Sequence, residues 1–311
     1  MSGCTVYTVD GKSLRSFPGV ECLFLDNGQA VSASPESLRL IAPGGKVVWE
    51  IPGHFHHQLN LSQDGKRILA LGSVIFKKDK LTVRRDKILI VSLEGKVLRE
   101  KDLGDLVDTG SFDVPTTIWL EKQTGATREV SHLNSIMEIG KLKTGLSLPE
   151  LKEGQIAING LSHGTMILSP DLERVVRRLD FPDSQGNMVH DVQVRSDGSL
   201  LYFNNLRRGD ASVPASAIQI LDPKSLRVKF SFEGNPRGIF YSAGSGSVQE
   251  IRDDLYLFSG MRTGAYFLNP KSGEILRSVP EIGTLGPAST SLIFSVRLRS
   301  LSAFLAKWTA D

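Results

Sequence analysis

One short motif, written five times along the chain, constrains the fold more than any other feature. An apolar strand meets a tight turn built on Gly, Pro, Asp or Ser, and a second strand follows: Ile41–Trp49, Val91–Leu98, Leu168–Val175, Leu221–Leu226 and Leu268–Ile275. A sixth copy, Val9–Arg15, stands near the N-terminus and closely matches Leu93–Arg99. Counted from the third residue of each hairpin, Pro43, Leu93, Pro170, Pro223 and Pro270 lie 50, 77, 53 and 47 residues apart, and wrapping from Pro270 to Val9 closes the circle at 50. A period near 50 with several short strands per unit predicts a β-propeller, in which radial repetition leaves only short sheet edges. The expectation is therefore an all-β, six-bladed propeller over residues 1–311, a single domain. The N-terminal hairpin would complete a blade begun by C-terminal strands around Leu292–Leu305. The long interval predicts insertions near 106–128 and 141–153, both read as surface loops. Glycine at 30 of 311 residues fits a turn-rich chain, and helix content should be low because no window carries an apolar stripe at helical spacing.

Composition excludes several classes of function. Lys and Arg number 37 against 34 Asp and Glu, with no block of like charge, so nothing points to nucleic acid. No apolar run approaches the roughly 20 residues of a membrane helix. A phosphate-binding Gly-rich loop ending in Lys-Ser/Thr is absent, and no nucleophile elbow is supported. The two cysteines, Cys4 and Cys22, are too few for a disulfide framework, though one bridge is conceivable. Ser2-Gly3-Cys4 has the form of the end of a lipoprotein signal, which would make Cys4 a lipid anchor.

Chemistry concentrates in the histidines. His57 lies seven residues before Asp64-Gly65 and His190 seven before Asp197-Gly198, with matching strands between. His132 opens the corresponding strand of the intervening unit. The first strand of a propeller blade is innermost, so the three rings should converge at one mouth of the channel. Asn134 and Asp191 travel with them, and the fifth unit brings Gln249. A lone imidazole at a strand start is usually structural, but closely spaced imidazoles disfavour one another's charged forms and remain available as bases, nucleophiles or metal ligands. Strand alternation should turn His56 away from His57, making one of the pair structural; His163 falls in a turn. Three imidazoles and a water would suit zinc. The favoured reading has neither metal nor cofactor.

The ordered set of His56-His57, His132-Leu133-Asn134-Ser135, Val189-His190-Asp191-Val192 and Gly246-Ser247-Val248-Gln249 resembles the arylsulfotransferase family, six-bladed propellers that move a sulfuryl group from an aryl sulfate to a phenol. The resemblance implies a ping-pong mechanism with His190 as nucleophile, His57, His132 and Asn134 around the sulfuryl oxygens, and Asp191, His56 and Gln249 lining the substrate site. It implies a small aromatic sulfate or phenol as partner, and a periplasmic or extracellular setting. Two departures stand out. Ile158–Ser162 occupies the strand where sulfate-transferring members carry an Arg, leaving Arg262 as a substitute from another direction, and Gln58 replaces an acidic residue. A propeller that has lost catalysis and binds a ligand or protein at the same mouth is the alternative reading.

Overall fold

The computed structural model describes residues 3–7, 13–78, 81–108, 118–119, 127–130, 132–143, 148–160, 164–179, 181, 189–205, 215–242, 244–260 and 263–279. The chain begins with a two-stranded hairpin, β1 (Gly3–Tyr7) and β2 (Ser13–Pro18). The first blade follows as β3 (Glu21–Phe24), β4 (Ala30–Ala33), β5 (Ser37–Ile41) and β6 (Val47–Pro52), and the second as β7 (His54–Leu61), β8 (Arg67–Lys78), β9 (Leu81–Ser92) and β10 (Val97–Asp102). A helix α1 (Leu103–Asp108) and two short strands, β11 (Ile118–Trp119) and β12 (Thr127–Val130), precede the third blade. That blade is β13 (Leu133–Glu138), β14 (Ile156–Gly160), β15 (Gly164–Leu168) and β16 (Val175–Leu179). The fourth comprises β17 (Val189–Val194), β18 (Leu200–Asn204), β19 (Ala217–Asp222) and β20 (Arg227–Phe232). The fifth comprises β21 (Gly246–Arg252), β22 (Leu255–Gly260), β23 (Ala265–Asn269) and β24 (Glu274–Val279).

The fold is an all-β propeller. Every blade is an antiparallel meander, and the five hairpins read from the sequence are the turns between its third and fourth strands. Among the described residues there are five blades, not six. The hairpin β1–β2 flanks the sixth motif copy, but the strands expected around Leu292–Leu305 lie outside the described residues. The 106–128 insertion is not wholly loop, since it contributes α1, β11 and β12, and β12 pairs in parallel with the first half of β9. Among the described residues, no helix is long and apolar enough to cross a membrane.

Burial follows the radial plan. Third strands such as β15 and β19 are buried on both faces for nearly all their length, whereas outer strands such as β20 and β24 alternate exposed and covered residues. The core lies between blades rather than within them. Leu38, Phe55, Ile68 and Val91 join the first pair, Leu71, Ile88, Leu133 and Ile158 the second, and Phe203, Phe240, Phe258 and Tyr266 fill the space between the fourth and fifth. Phe240 is fully buried there, with its ring 4.7 Å from that of Phe258, edge to face, an arrangement that adds to simple burial. Trp49 on β6 reaches the next blade, where its indole N–H donates to Leu93 O at 2.8 Å. Its ring covers Gly95, at which a Cβ would stand 2.7 Å from the indole.

Polar rungs connect the inner strands. Gln58 Oε1 accepts from Ile136 N–H (2.9 Å), Ser135 Oγ from Val192 N–H (3.1 Å) and Asp191 Oδ2 from Val248 N–H (2.7 Å). Thus Gln58, Ser135 and Asp191 occupy one position of the repeat, each side chain reaching the backbone of the following blade. At the opposite end of these strands, Arg67 pairs with Glu138 and Arg195 forms a two-pronged bond to Glu250. Cys4 and Cys22 form a disulfide that fastens β1 to β3. Closing a loop of 18 residues restricts the unfolded chain by about 3 kcal/mol in the chain-entropy account. A sulfur in a disulfide cannot also carry a thioether-linked lipid, so the bridge and an anchor at Cys4 are alternative states.

Candidate active site

The rungs set the phase of the repeat and correct part of the sequence reading. One residue before Gln58, Ser135 and Asp191 stand His57, Asn134 and His190, so these three are equivalent. His132 lies two residues earlier. It still reaches the group, its ring 4.8 Å from that of His57. Gly246 takes the same position in the fifth blade, where a Cβ would lie 2.4 Å from the Phe203 ring and no side chain fits.

Three inner strands, β7, β13 and β17, enter the site through an irregularity. Register shifts fall between Phe55 and Leu59, Leu133 and Ser135, and His190 and Gln193. His57, His132 and Asp191 have φ of 54°, 45° and 53°. A left-handed backbone at a residue with a side chain costs on the order of 1 kcal/mol and tends to cluster where function requires it. Of five such residues among those described, three belong to this group. The bulge in β7 also overturns the expectation from alternation: the His56 and His57 rings lie 5.0 Å apart, edge to face.

His190 has the most defined chemistry. Its Nδ1 is 2.6 Å from Asn205 Oδ1, and the Asn205 amide is oriented by donating to Ser242 O (2.7 Å) and Ser245 O (3.0 Å). Asn205 Oδ1 is therefore an acceptor and Nδ1 carries a proton, so in the neutral ring the lone pair lies on Nε2. The ring is buried. Asn134 supports it from the previous blade by donating to Val189 O at 2.6 Å. Asn159, in the strand where an Arg was expected, donates to Asn134 Oδ1 and to Val189 O. Asn134 thus positions the strand directly ahead of His190.

Asp191 accepts from Gln58 Nε2 at 2.5 Å as well as from Val248 N–H. Gln58 and Asp191 belong to the second and fourth blades, so this bond joins two blades that are not neighbours in the sequence order. Its amide suits a neighbour that is itself a carboxylate, which accounts for Gln58 where an acid was expected.

Two residues of the site were missed in the sequence. Asp86 on β9 is buried, with Oδ1 3.0 Å from His56 Nε2 and Oδ2 accepting from Leu133 N–H at 2.6 Å. Burial pushes its carboxyl up, but the His56 hydrogen bond and charge, the Leu133 N–H and Arg84 more than offset this and hold it below the usual range. Arg84 stands two residues earlier on the same strand face. Arg262 and His163 lie outside the described residues. Gln249 lies on β21 beside the Asp191-bonded Val248, one residue beyond the ring of rungs. Among the described residues, no three His, Cys, Asp or Glu side chains are arranged to hold a metal ion.

The imidazoles share one environment. Desolvation, followed by the charges of His56, His132, His190 and Arg84, holds the His57 ring well below the usual histidine range. Folded protein therefore leaves His57 neutral while unfolded chain takes up a proton below about pH 6.5. Stability should fall on acidification by about 1.4 kcal/mol per pH unit below that value until the folded ring titrates. Urea unfolding should show lower stability at pH 5 than at pH 7, by at most about 2 kcal/mol from this ring, a difference that His57→Gln removes.

No family model matches the sequence, and no curated protein matches it. A protein of unknown function from Bacteroides caccae is similar in structure, with TM-score 0.59 and 12% identity over 90% of each chain. The WD40 domain of Neurospora crassa Pan2 aligns over 84% of this chain and 68% of its own at 13% identity, TM-score 0.45. A chain of the mitotic checkpoint complex aligns over 84% and 63% at 12% identity, TM-score 0.46. At these identities the likeness concerns fold alone.

Proposed function

We propose that this propeller transfers sulfuryl groups from aryl sulfates to phenols through a sulfohistidine at His190. The observation that carries the reading is the relay from Ser242 and Ser245 through Asn205 to His190, which leaves Nε2 as the ring's basic nitrogen beside a neutral His57. In the first half-reaction the Nε2 lone pair attacks sulfur, the sulfur–aryl oxygen bond breaks, and the phenolate leaves with the bonding electrons. In the second, the acceptor's oxygen attacks sulfur while His57 takes the phenol proton, and the nitrogen–sulfur bond returns its electrons to His190. In this reading His132 donates to the sulfuryl oxygens as charge moves onto them.

The same reading has the β1–β2 hairpin complete a sixth blade begun by strands around Leu292–Leu305. The matching turn between β1 and β2 supports this. The Cys4–Cys22 bridge supports an oxidising compartment such as the periplasm. A second reading, a ligand-binding propeller without catalysis, is favoured by Asn159 in place of the Arg.

Intact-mass spectrometry after mixing the protein with p-nitrophenyl sulfate separates the two. Transfer predicts a gain of about 80 Da, one sulfuryl group on a nucleophile, lost when phenol is added. Folded protein that gains no mass and releases no nitrophenol from pH 5 to 9 leaves the binding reading.

A further inference from the structure

Asp86 stands where the second blade outgrows the ring. The middle strands of that blade, β8 and β9, run 12 residues each, and their pairing continues past Ser73–Asp86 to Lys78–Leu81 as a projection. Ser73 also pairs with His54, the first residue of β7, so Asp86 lies at the foot of this projection, level with the entrance of the inner strand. Its carboxylate is 1% exposed, and such burial is tolerated where hydrogen-bond donors meet both oxygens. Oδ1 lies 3.0 Å from His56 Nε2 and 3.3 Å from Ser73 Oγ, and Oδ2 accepts from Leu133 N–H at 2.6 Å. His56 Nε2 also lies 3.3 Å from Gly72 O, a second acceptor, so this nitrogen carries a proton.

Both arms of the carboxylate end beside a strained residue. His56 directly precedes His57, whose φ is 54°, and Leu133 directly follows His132, whose φ is 45°. Left-handed backbone at such residues persists only where the surroundings over-determine it. β7 and β13 belong to different blades, and the register of each slips here, between Phe55 and Leu59 and between Leu133 and Ser135. Regular pairing is therefore interrupted beside both histidines. One carboxylate reaches the residue before His57 and the residue after His132, and those two rings lie 4.8 Å apart.

We infer that Asp86 is a positioning residue, a clamp that holds the entrances of β7 and β13 together and so sets the separation of the His57 and His132 rings. His56 serves as one arm of the clamp, through Nε2. A carboxylate suits the task because its two oxygens accept in two directions at once, whereas an amide of the same shape has a single oxygen. The effect on rate rests on the transfer reading, in which His57 takes the phenol proton and His132 meets the sulfuryl oxygens. The ring contact does not.

Nuclear Overhauser spectroscopy on histidine-labelled protein, without substrate, reads the contact between the His57 and His132 ring protons. Wild type should show it. Asp86→Asn fills the same space but can hold only one entrance, so the contact should fade, as it should in Asp86→Ala. Ser73→Ala, which removes only the 3.3 Å bond to Oδ1, should keep it. His56→Gln presents a donor near the Nε2 position and should keep the contact, while His56→Phe should lose it. Folded Asp86→Asn should also transfer sulfuryl groups from p-nitrophenyl sulfate about 10- to 100-fold more slowly, the scale for misplacing a reacting group by about 1 Å, with a smaller change in KM. If Asp86 only fills space and links blades, asparagine lowers stability to urea but leaves the ring contact and kcat unchanged, which overturns the inference. Absence of the contact in wild type overturns it too. Loss of the contact in Asp86→Asn, with no transfer by wild type, would keep the clamp and discard transfer. Transfer with the contact unaltered by Asp86→Asn would do the reverse. Should the Asp86 variants fail to fold, the His56 pair tests the clamp with the carboxylate in place, and a contact that survives in His56→Phe overturns it.

Discussion

His190→Ala should lose the sulfuryl adduct entirely and lower transfer by about four orders of magnitude or more, the scale seen when a covalent nucleophile is removed. Its neighbour gives the more discriminating result. In Asn205→Leu the ring keeps its atoms and loses the acceptor that holds the proton on Nδ1. The tautomer with the proton on Nε2 then competes, and that form cannot attack. The rate should fall by about 10²- to 10⁴-fold, as for other changes that misplace a catalytic proton. KM for the donor should change little, since Asn205 contacts the far side of the ring. Asn205→Asp keeps an acceptor for Nδ1 but sets its second oxygen against the Ser242 and Ser245 carbonyls, so it should recover the rate only in part. Nitrogen chemical shifts of His190 would report the tautomer directly. A leucine variant with wild-type kcat would show that the relay serves only packing.

Asp191→Ala should cost about 2–6 kcal/mol of stability, about 1–3 kcal/mol for each of two buried donors left without an acceptor. The carboxylate accepts from Gln58 Nε2 and Val248 N–H and is 4% exposed. Alanine strands both donors where water cannot readily replace the lost oxygens. One of these bonds joins the second and fourth blades, and the other joins the fourth and fifth, so several blades loosen together. Asp191→Asn should cost less because one amide oxygen still accepts, while its NH₂ group faces the donor it replaced. Urea unfolding followed by tryptophan fluorescence measures the difference. A loss below about 1 kcal/mol for alanine would be no more than an ordinary hydrogen bond, and would show that apolar packing alone holds the blades.

The repeated hairpins were legible because turn chemistry is local: Gly45, Gly95 and Gly273 have positive φ in the turns the motif marks. The blade count needed strands from both termini to be placed, and it came out at five among the described residues. The cluster was legible as histidines before Asp-Gly turns, but its phase was not. Bulges shift register by one or two residues, and only the partner strand reveals them. That is why His132 was aligned in place of Asn134 and why His56 was expected to point away. Asp86 was missed because its partners, His56 and Leu133, lie on β7 and β13. A signal did exist, since Arg84 and Asp86 share a strand face with buried Ile88 and Ile90, and charge on such a face needs a reason.

The rungs and the site residues occupy adjacent positions of the same strands: Gln58 beside His57, Ser135 beside Asn134, Asp191 beside His190. One residue of each couple holds the next blade and its neighbour faces the site. The spacing among the imidazoles is therefore set by the spacing of the blades, as teeth are set by the wheel that bears them. A substitution that shifts one blade rotates its reactive residue out of alignment even where every side chain at the mouth is intact. Selection for a new substrate at this mouth would act more readily through the β8–β9 projection, which can change length without moving a rung.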